Sequence, residues 1–309
     1  MSDGFASSGE ARFIDALRAL APGPGARGLA DDAATLEIGG ETLVLTHDAM
    51  VEGRHWLPGT DMADVAWKLV AVNLSDLAAM GAEPLGILLG HTLGDGDERF
   101  IAGLTEVLAT YDVPLLGGDT VAGDGPRTLG CTAIGRATHR PAPSRNGAKV
   151  GDAVYLVGPI GAAMAGFDHL VANRLDGPKS PRDSERIAAF LRPQPLLAEG
   201  AALAPLVTAM MDVSDGLLLD ASRMAQASGV AIDIDFAAIP FAERLDDEEK
   251  RQQAMRWGDD YALLFTASPE TRLPVPAQRV GTVRSDAGEP VLIDGVPPAD
   301  DLPLGYSHG

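Results

Sequence analysis

Two α/β (α+β) domains are the fold class this chain predicts, and three observations carry the prediction. Its 309 residues exceed an ordinary domain of roughly 150, and 46% hydrophobic residues suffice for packed cores. Segments with strand patterning alternate with segments of helical patterning along its length. Residues 139–152 (HRPAPSRNGAKVGD) break that alternation with proline, glycine and polar side chains, which puts the boundary between units at 1–143 and 144–309.

The elements follow in order. Residues 10–20 place Phe13, Ile14, Leu17 and Leu20 on one helical stripe, and Ser7 with Glu10 has capping-box spacing. A strand at 33–38 and a β-rich run at 42–48 precede a helix over 61–80, opened by Asp61 and stopped by Gly81. Strand-like runs at 85–93, 113–116 and 128–137 surround a helix at 97–110. The second unit opens with a strand at 153–158 and a small-residue helix at 161–173. Segment 174–195, polar and proline-rich, is expected to be a surface excursion. A helix near 196–204, a strand at 207–213, a helix at 216–227 and a strand at 230–236 follow, and the acidic run 245–253 predicts a solvated helix start.

Composition narrows the function. With 24 Lys and Arg against 44 Asp and Glu, the formal charge is −20, the wrong sign for a protein that displaces counterions from nucleic acid. No run of about 18 apolar residues predicts a membrane span. The lone Cys131 and an N-terminus (MSDGFASSGE) without a basic start or apolar stretch predict a cytoplasmic protein.

The carboxylates have an unusual setting. Asp31 and Asp32 (GLADDAA), Asp48 (LTHDAMVEGRH), Asp119 (LLGGDT), and Asp212 and Asp215 (MMDVSDGLLLD) lie where apolar runs end, several beside glycine, and Asp76 lies within the helical NLSDLAAMGA. Singly, each has a plain explanation. Asp31–Asp32 makes a turn, Ser214 an N-cap, and Asp76 with Asn73 a buried polar pair. Together they form a hard-oxygen ligand set without Cys or His clustering, which suits Mg²⁺. Such a pocket repels bare ATP and accepts ATP that is charge-balanced by metal. A P-loop is missing, as are the H-R-D and D-F-G kinase elements.

On the segments GLADDAA, LTHDAMVEGRHW, NLSDLAAMGAEP, LLGGDT, SRNGAKVGD, MDVSDGLLLD and WGDDYALLF, in that order, the chain resembles the thiamine-monophosphate kinases. These belong to the superfamily of aminoimidazole ribonucleotide synthetase and selenophosphate synthetase. The resemblance implies a homodimer whose N-terminal sheets pair into a barrel, and transfer of phosphate from ATP to thiamine monophosphate. It implies metal ligands at Asp32, Thr46, His47, Asp48, Asp76, Asp119, Asp212 and Asp215; of these, Asp48, Asp76, Asp119 and Asp212 are expected to hold the Mg²⁺ that lies between donor and acceptor. It implies nucleotide contacts at Tyr111, Gly118, Asp119, Arg145 and Ser214, and substrate contacts at His55, Asp259 and Tyr306.

Three positions depart from the family pattern. His47 replaces a hydroxyl, harmlessly if the backbone carbonyl is the ligand and with loss of a ligand otherwise. Asp259 replaces a Glu, and Pro303 aligns with a C-terminal aromatic for which Tyr306 substitutes. Taken without the resemblance, Arg145 is an exposed charge, His55 an ordinary histidine, Cys131 a core residue, and Trp56, Trp67 and Trp257 packing residues. The competing readings are another synthetase of the superfamily and a non-catalytic nucleotide or metal sensor. Selenophosphate synthetase wants a reactive cysteine in the first 40 residues, where none occurs, and the hydrogenase-maturation relative ends in a cysteine-bearing tail instead of GYSHG.

Overall fold

The computed structural model describes residues 9–172, 181–243, 245, 247–286, 288–299 and 302–306. Ser7 of the expected capping box, and part of the expected excursion, lie outside them. The first helix, α1 (Gly9–Arg18), forms, yet Phe13 is 66% and Leu20 79% exposed. Its apolar stripe therefore buries little; among the described elements the helix leans chiefly on the 3-10 turn at 24–29.

The N-terminal half builds a five-stranded sheet from β1 (Ala34–Ile38), β2 (Glu41–Val51), β3 (Ala82–Thr92), β4 (Leu115–Val121) and β5 (Thr128–Ala137), ordered β1-β2-β5-β3-β4. Only β3 and β4 run parallel, joined through α3 (Asp97–Tyr111). Along β5 the residues Leu129, Cys131 and Ala133 alternate inward, the period-two signature of a strand with one buried face. They pack beneath α2 (Met62–Ala79), whose first turn is capped by Asp61 accepting the Ala63 N–H at 3.0 Å. Fifteen of the residues of α2 are buried, because this helix is covered by the sheet on one side and by the C-terminal half on the other.

Strand β4 differs from expectation. It runs from Leu115 to Val121, so the Gly-Gly-Asp segment lies within it. Glycine and aspartate are poor strand formers, but a Cβ on Gly118 would sit 1.9 Å from the Leu89 carbonyl oxygen. The strand continues there because only glycine permits that approach.

The described residues of the C-terminal half form a six-stranded sheet of β6 (Ala153–Val157), β7 (Ala209–Val213), β8 (Val230–Ile234), β9 (Ala262–Ala267), β10 (Gln278–Ser285) and β11 (Val291–Ile293), ordered β11-β8-β10-β6-β9-β7. Every residue of β9 is buried, and Phe265 stacks on Tyr155 of β6 at 5.2 Å. The remaining helices are α4 (Ala162–Ala172), α5 (Pro181–Leu191), α6 (Leu197–Leu203), α7 (Leu217–Ser228) and α8 (Glu248–Ala254). Helix α8 opens on Asp247, which accepts the Glu249 N–H at 3.0 Å, and its acidic first turn is solvated as expected.

Helix α5 corrects the expected surface excursion. Ile187 and Phe190 are 8% and 6% exposed and pack the helix against α4 and α2. Spacing of i and i+3 makes that apolar face; the neighbouring prolines obscured it. Helix α6 crosses to the other half, seated on α2 and β3.

Candidate active site

A cavity of about 620 Å³ opens where the two halves meet. Strand β2, helix α2, the end of β7 and the loops at 31–32, 145 and 256–261 supply its walls. Along α2, Lys68, Val72 and Asp76 face it at i, i+4 and i+8, one stripe of the helix. Asp32, Asp76 and Asp212, distant in sequence, each place a carboxylate oxygen within 4.8 Å of the others.

Each of these carboxylates is anchored from behind. Asp32 has a fully buried side chain and accepts Arg145 Nη2 at 2.6 Å and Nε at 3.1 Å. Asp76 accepts the Thr46 hydroxyl, and Asp212 Oδ2 accepts the Ser75 hydroxyl at 2.5 Å. The other oxygens, Asp32 Oδ2 and Asp212 Oδ1, are buried and have no hydrogen-bond partner among the described residues. Burial raises the pKa of all three. For Asp76 the neighbouring Asp48, Asp212 and Asp32 push it further, and for Asp212 the next contribution comes from Asp32. At Asp32 the Arg145 guanidinium opposes the rise. Buried oxygens without partners, crowded with like charge, are disfavoured unless a cation completes them. The donor set is all oxygen, and it fits Mg²⁺.

Asp48, Asp215, Ser214, Arg145, His55, Asp259 and Tyr306 line the same cavity. Asn73 is not paired with Asp76; its Oδ1 accepts the Asp48 N–H at 3.0 Å and so steers β2 at this point. Ser214 is not an N-cap: α7 starts at Leu217, and Asp220 accepts the Ser214 and Asp215 N–H groups at 3.1 and 3.0 Å. Arg223 binds Asp215 at 2.6 Å and Asp220 at 2.8 Å. Arg145 is not an exposed charge, since its side chain is 17% accessible and bound to Asp32. The Val51 N–H donates to His55 Nδ1 at 2.9 Å, which leaves Nε2 as the protonated nitrogen of the neutral ring.

Four expected residues lie elsewhere. His47 alternates to the opposite face of β2 from Thr46 and Asp48, and its Nδ1 meets the Thr132 hydroxyl at 2.8 Å. Its imidazole is thereby removed from the carboxylates. Gly118 and Asp119 sit on the exposed edge strand β4. Tyr111 packs edge-on against Trp67 at 5.9 Å and donates to Gln194 at 3.0 Å; burial pushes its phenol up to about 12.

Other residues of the site went unnoticed in the sequence. Trp257 is no mere packing residue: it lines the cavity and lies 5.2 Å from Phe167, which in turn meets Phe190 at 5.2 Å. Together they make an aromatic wall. Lys68, the one basic residue of the buried helix α2, was the signal available for the cavity-facing stripe. Trp56, Trp67 and Cys131 are core residues as expected, and burial raises the Cys131 thiol to about 12.

Comparison with known proteins places the chain in a family. Residues 30–137 match the AIR synthase related protein N-terminal domain, and residues 149–290 its C-terminal domain. The thiamine-monophosphate kinase of Escherichia coli (strain K12) is 38% identical over 296 residues, covering 86% of this chain and 89% of that protein. The structure of AaThiL complexed with AMPPCP and TMP superposes with a TM-score of 0.86 at 28% identity, covering 96% of both chains. Thiamine-monophosphate kinase from Stenotrophomonas maltophilia K279a gives a TM-score of 0.76 at 34% identity, covering 94% of this chain and 98% of that one. With both domain models matched and 38% identity over 86% of its length, the chain belongs to the thiamine-monophosphate kinase family of AIR synthase related proteins.

Proposed function

We propose that this enzyme phosphorylates thiamine monophosphate with ATP, by direct in-line transfer, giving thiamine diphosphate and ADP. The observation that carries the reading is the polarity of one cavity: clustered, partnerless carboxylate oxygens at one end and an aromatic wall with Lys68 and Asp259 at the other. Phosphates with their metal suit the first end, and a cationic aromatic ring system the second.

The acceptor phosphate has a second pKa of about 6 and is largely dianionic at neutral pH, so no strong base is required. Repulsion between two polyanions is the obstacle, and positioning is the remedy. Asp32, Asp76 and Asp212, with Asp48 and Asp215 beside them, would hold Mg²⁺. Bound there, Mg²⁺ would neutralise charge on donor and acceptor. An acceptor oxygen forms the new bond to the γ-phosphorus while the bond to the β–γ bridging oxygen breaks and ADP departs. Arg145 and Ser214 contact the nucleotide; His55, Asp259 and Tyr306 hold the substrate, and Phe167 and Trp257 face its rings.

We assign the active form to a homodimer. Strand β4 is an unpaired edge, and Leu115, Leu116 and Val121 on it are 47%, 55% and 50% exposed. A long apolar edge of that kind calls for a partner. Gly118 and Asp119 would reach a nucleotide through that pairing. Among the described residues no helix is long and apolar enough to cross a membrane.

Incubation with ATP, Mg²⁺ and thiamine monophosphate, followed by chromatography, tests the reading. Thiamine diphosphate and ADP in equal amounts are expected. Nucleotide binding without product would identify a sensor instead.

A further inference from the structure

Lys68 lies in the middle of α2 with 3% of its surface exposed. An ammonium so placed is unfavourable unless its donors are engaged, and here they are. Nζ donates to Asp259 Oδ2 at 2.8 Å, approaches the His55 carbonyl oxygen at 3.5 Å, and stands 3.9 Å from the centre of the Phe190 ring. Asp259 Oδ1 accepts the Tyr261 hydroxyl at 2.9 Å, so both carboxylate oxygens are held.

The loop carrying Asp259 is pinned independently. The Asp259 N–H donates to the Ser214 carbonyl at 2.8 Å and the Tyr261 N–H to that of Val213 at 2.8 Å. A Cβ on Gly258 would lie 2.2 Å from the Ser214 carbonyl oxygen, which holds the loop against the end of β7. Asp259 and Tyr261 have φ of 67° and 51°, a conformation uncommon for residues with a side chain. Such a backbone persists where its surroundings over-determine it. Lys68 reaches this loop from the other half of the chain, and it reaches His55 as well.

We propose that Lys68 is a positioning residue: it sets Asp259 and the His55 segment, which come from opposite walls, at the spacing that accepts the ring end of the substrate. Its donors point at protein groups, so it acts through Asp259 and not by contact with substrate. The proposal deepens the kinase reading and rests on it.

Steady-state kinetics of Lys68→Met, Asp259→Asn and the double variant test it, with melting curves to verify folding. Lys68→Met keeps the length and apolar stem of the side chain. It should raise KM for thiamine monophosphate about tenfold or more while KM for ATP stays within about twofold. Asp259→Asn should do the same, and the double variant should be no worse than Asp259→Asn by more than about twofold, as expected for residues acting as one unit. A folded Lys68→Met with unchanged KM for thiamine monophosphate, or with both KM values raised alike, overturns the proposal. If Lys68→Met fails to fold, Asp259→Asn and the double variant decide, because the double leaves no buried charge unpaired. Equal KM values support the proposal; a further tenfold rise, of the size expected for a lost direct contact, overturns it. Wild-type protein without turnover would instead defeat the kinase reading itself, and this proposal with it.

Discussion

Asp212→Asn should make the metal-free protein more stable while abolishing its response to Mg²⁺. In the folded chain Asp212 is 1% exposed, with Oδ2 on the Ser75 hydroxyl and a carboxylate oxygen within 4.8 Å of those of Asp32 and Asp76. At an effective dielectric of about 20, unit charges at the 4.8 Å limit of this cluster repel by about 3.5 kcal/mol per pair. Protons retained on the cluster relieve part of that, because burial and mutual repulsion raise these pKa values. About 2–3 kcal/mol is the net gain expected from neutralising one member. Asparagine preserves the acceptor for Ser75, and its amide can donate to the remaining carboxylates. For a chain of this size the melting temperature in EDTA should rise by about 3–5 °C. Wild type should gain about 2.7 kcal/mol when Mg²⁺ reaches a hundredfold excess over its Kd. The variant should gain little, and its turnover should fall about a hundredfold or more. Scanning fluorimetry with EDTA and with Mg²⁺, beside the chromatographic assay, measures all three. A variant that melts below wild type in EDTA, or that Mg²⁺ stabilises as strongly as wild type, refutes the reasoning.

Asp48→Asn should fold normally, since its backbone bond to Asn73 survives, and lose most Mg²⁺-dependent transfer; near-wild-type turnover would remove it from the ligand set. Asp119→Asn should lose transfer as well, and in a dimer, shown by light scattering, would tie the β4 edge to the site; full activity would dissociate the two. Asp260, which accepts the Gly161 and Ala163 N–H groups at 2.7 and 3.1 Å, has its pKa raised by burial to about 7 from 3.8. The folded state thus binds more protons than the unfolded between those values. Its contribution to stability is full below about pH 4 and is lost as pH rises through about 7, so Asp260→Asn should flatten the pH dependence of melting across that window. Trp257→Ala should raise KM for thiamine monophosphate about tenfold and leave KM for ATP unchanged, because the wall it shares with Phe167 faces the ring end.

Much of the site was legible because its chemistry is written in residue types. An apolar helix carrying NLSD, and strand ends carrying aspartate, identify hard-oxygen ligands wherever they fold. The resemblance set His47 among the ligands beside Thr46 and Asp48, whereas period-two alternation in the folded strand turns its side chain to the opposite face. Trp257 and Phe190 were not legible: an aromatic residue in a loop or beside prolines has the same pattern whether it fills a core or faces a ligand. The continuation of β4 through Gly117, Gly118 and Asp119 was hidden for a similar reason, since the preference of those residues for turns is overridden by a close backbone approach that local sequence does not encode.

From residue order alone came the two-domain α/β plan, the Mg²⁺-suited ligand inventory and the family, because local periodicity and side-chain chemistry are properties of short segments. Which aspartates share one space, which guanidinium faces Asp32, and that Lys68 joins α2 to the loop of Asp259 were decided only in three dimensions. Those contacts join segments far apart in the chain, and their distances are set by how two sheets and one buried helix pack, not by any spacing along the sequence.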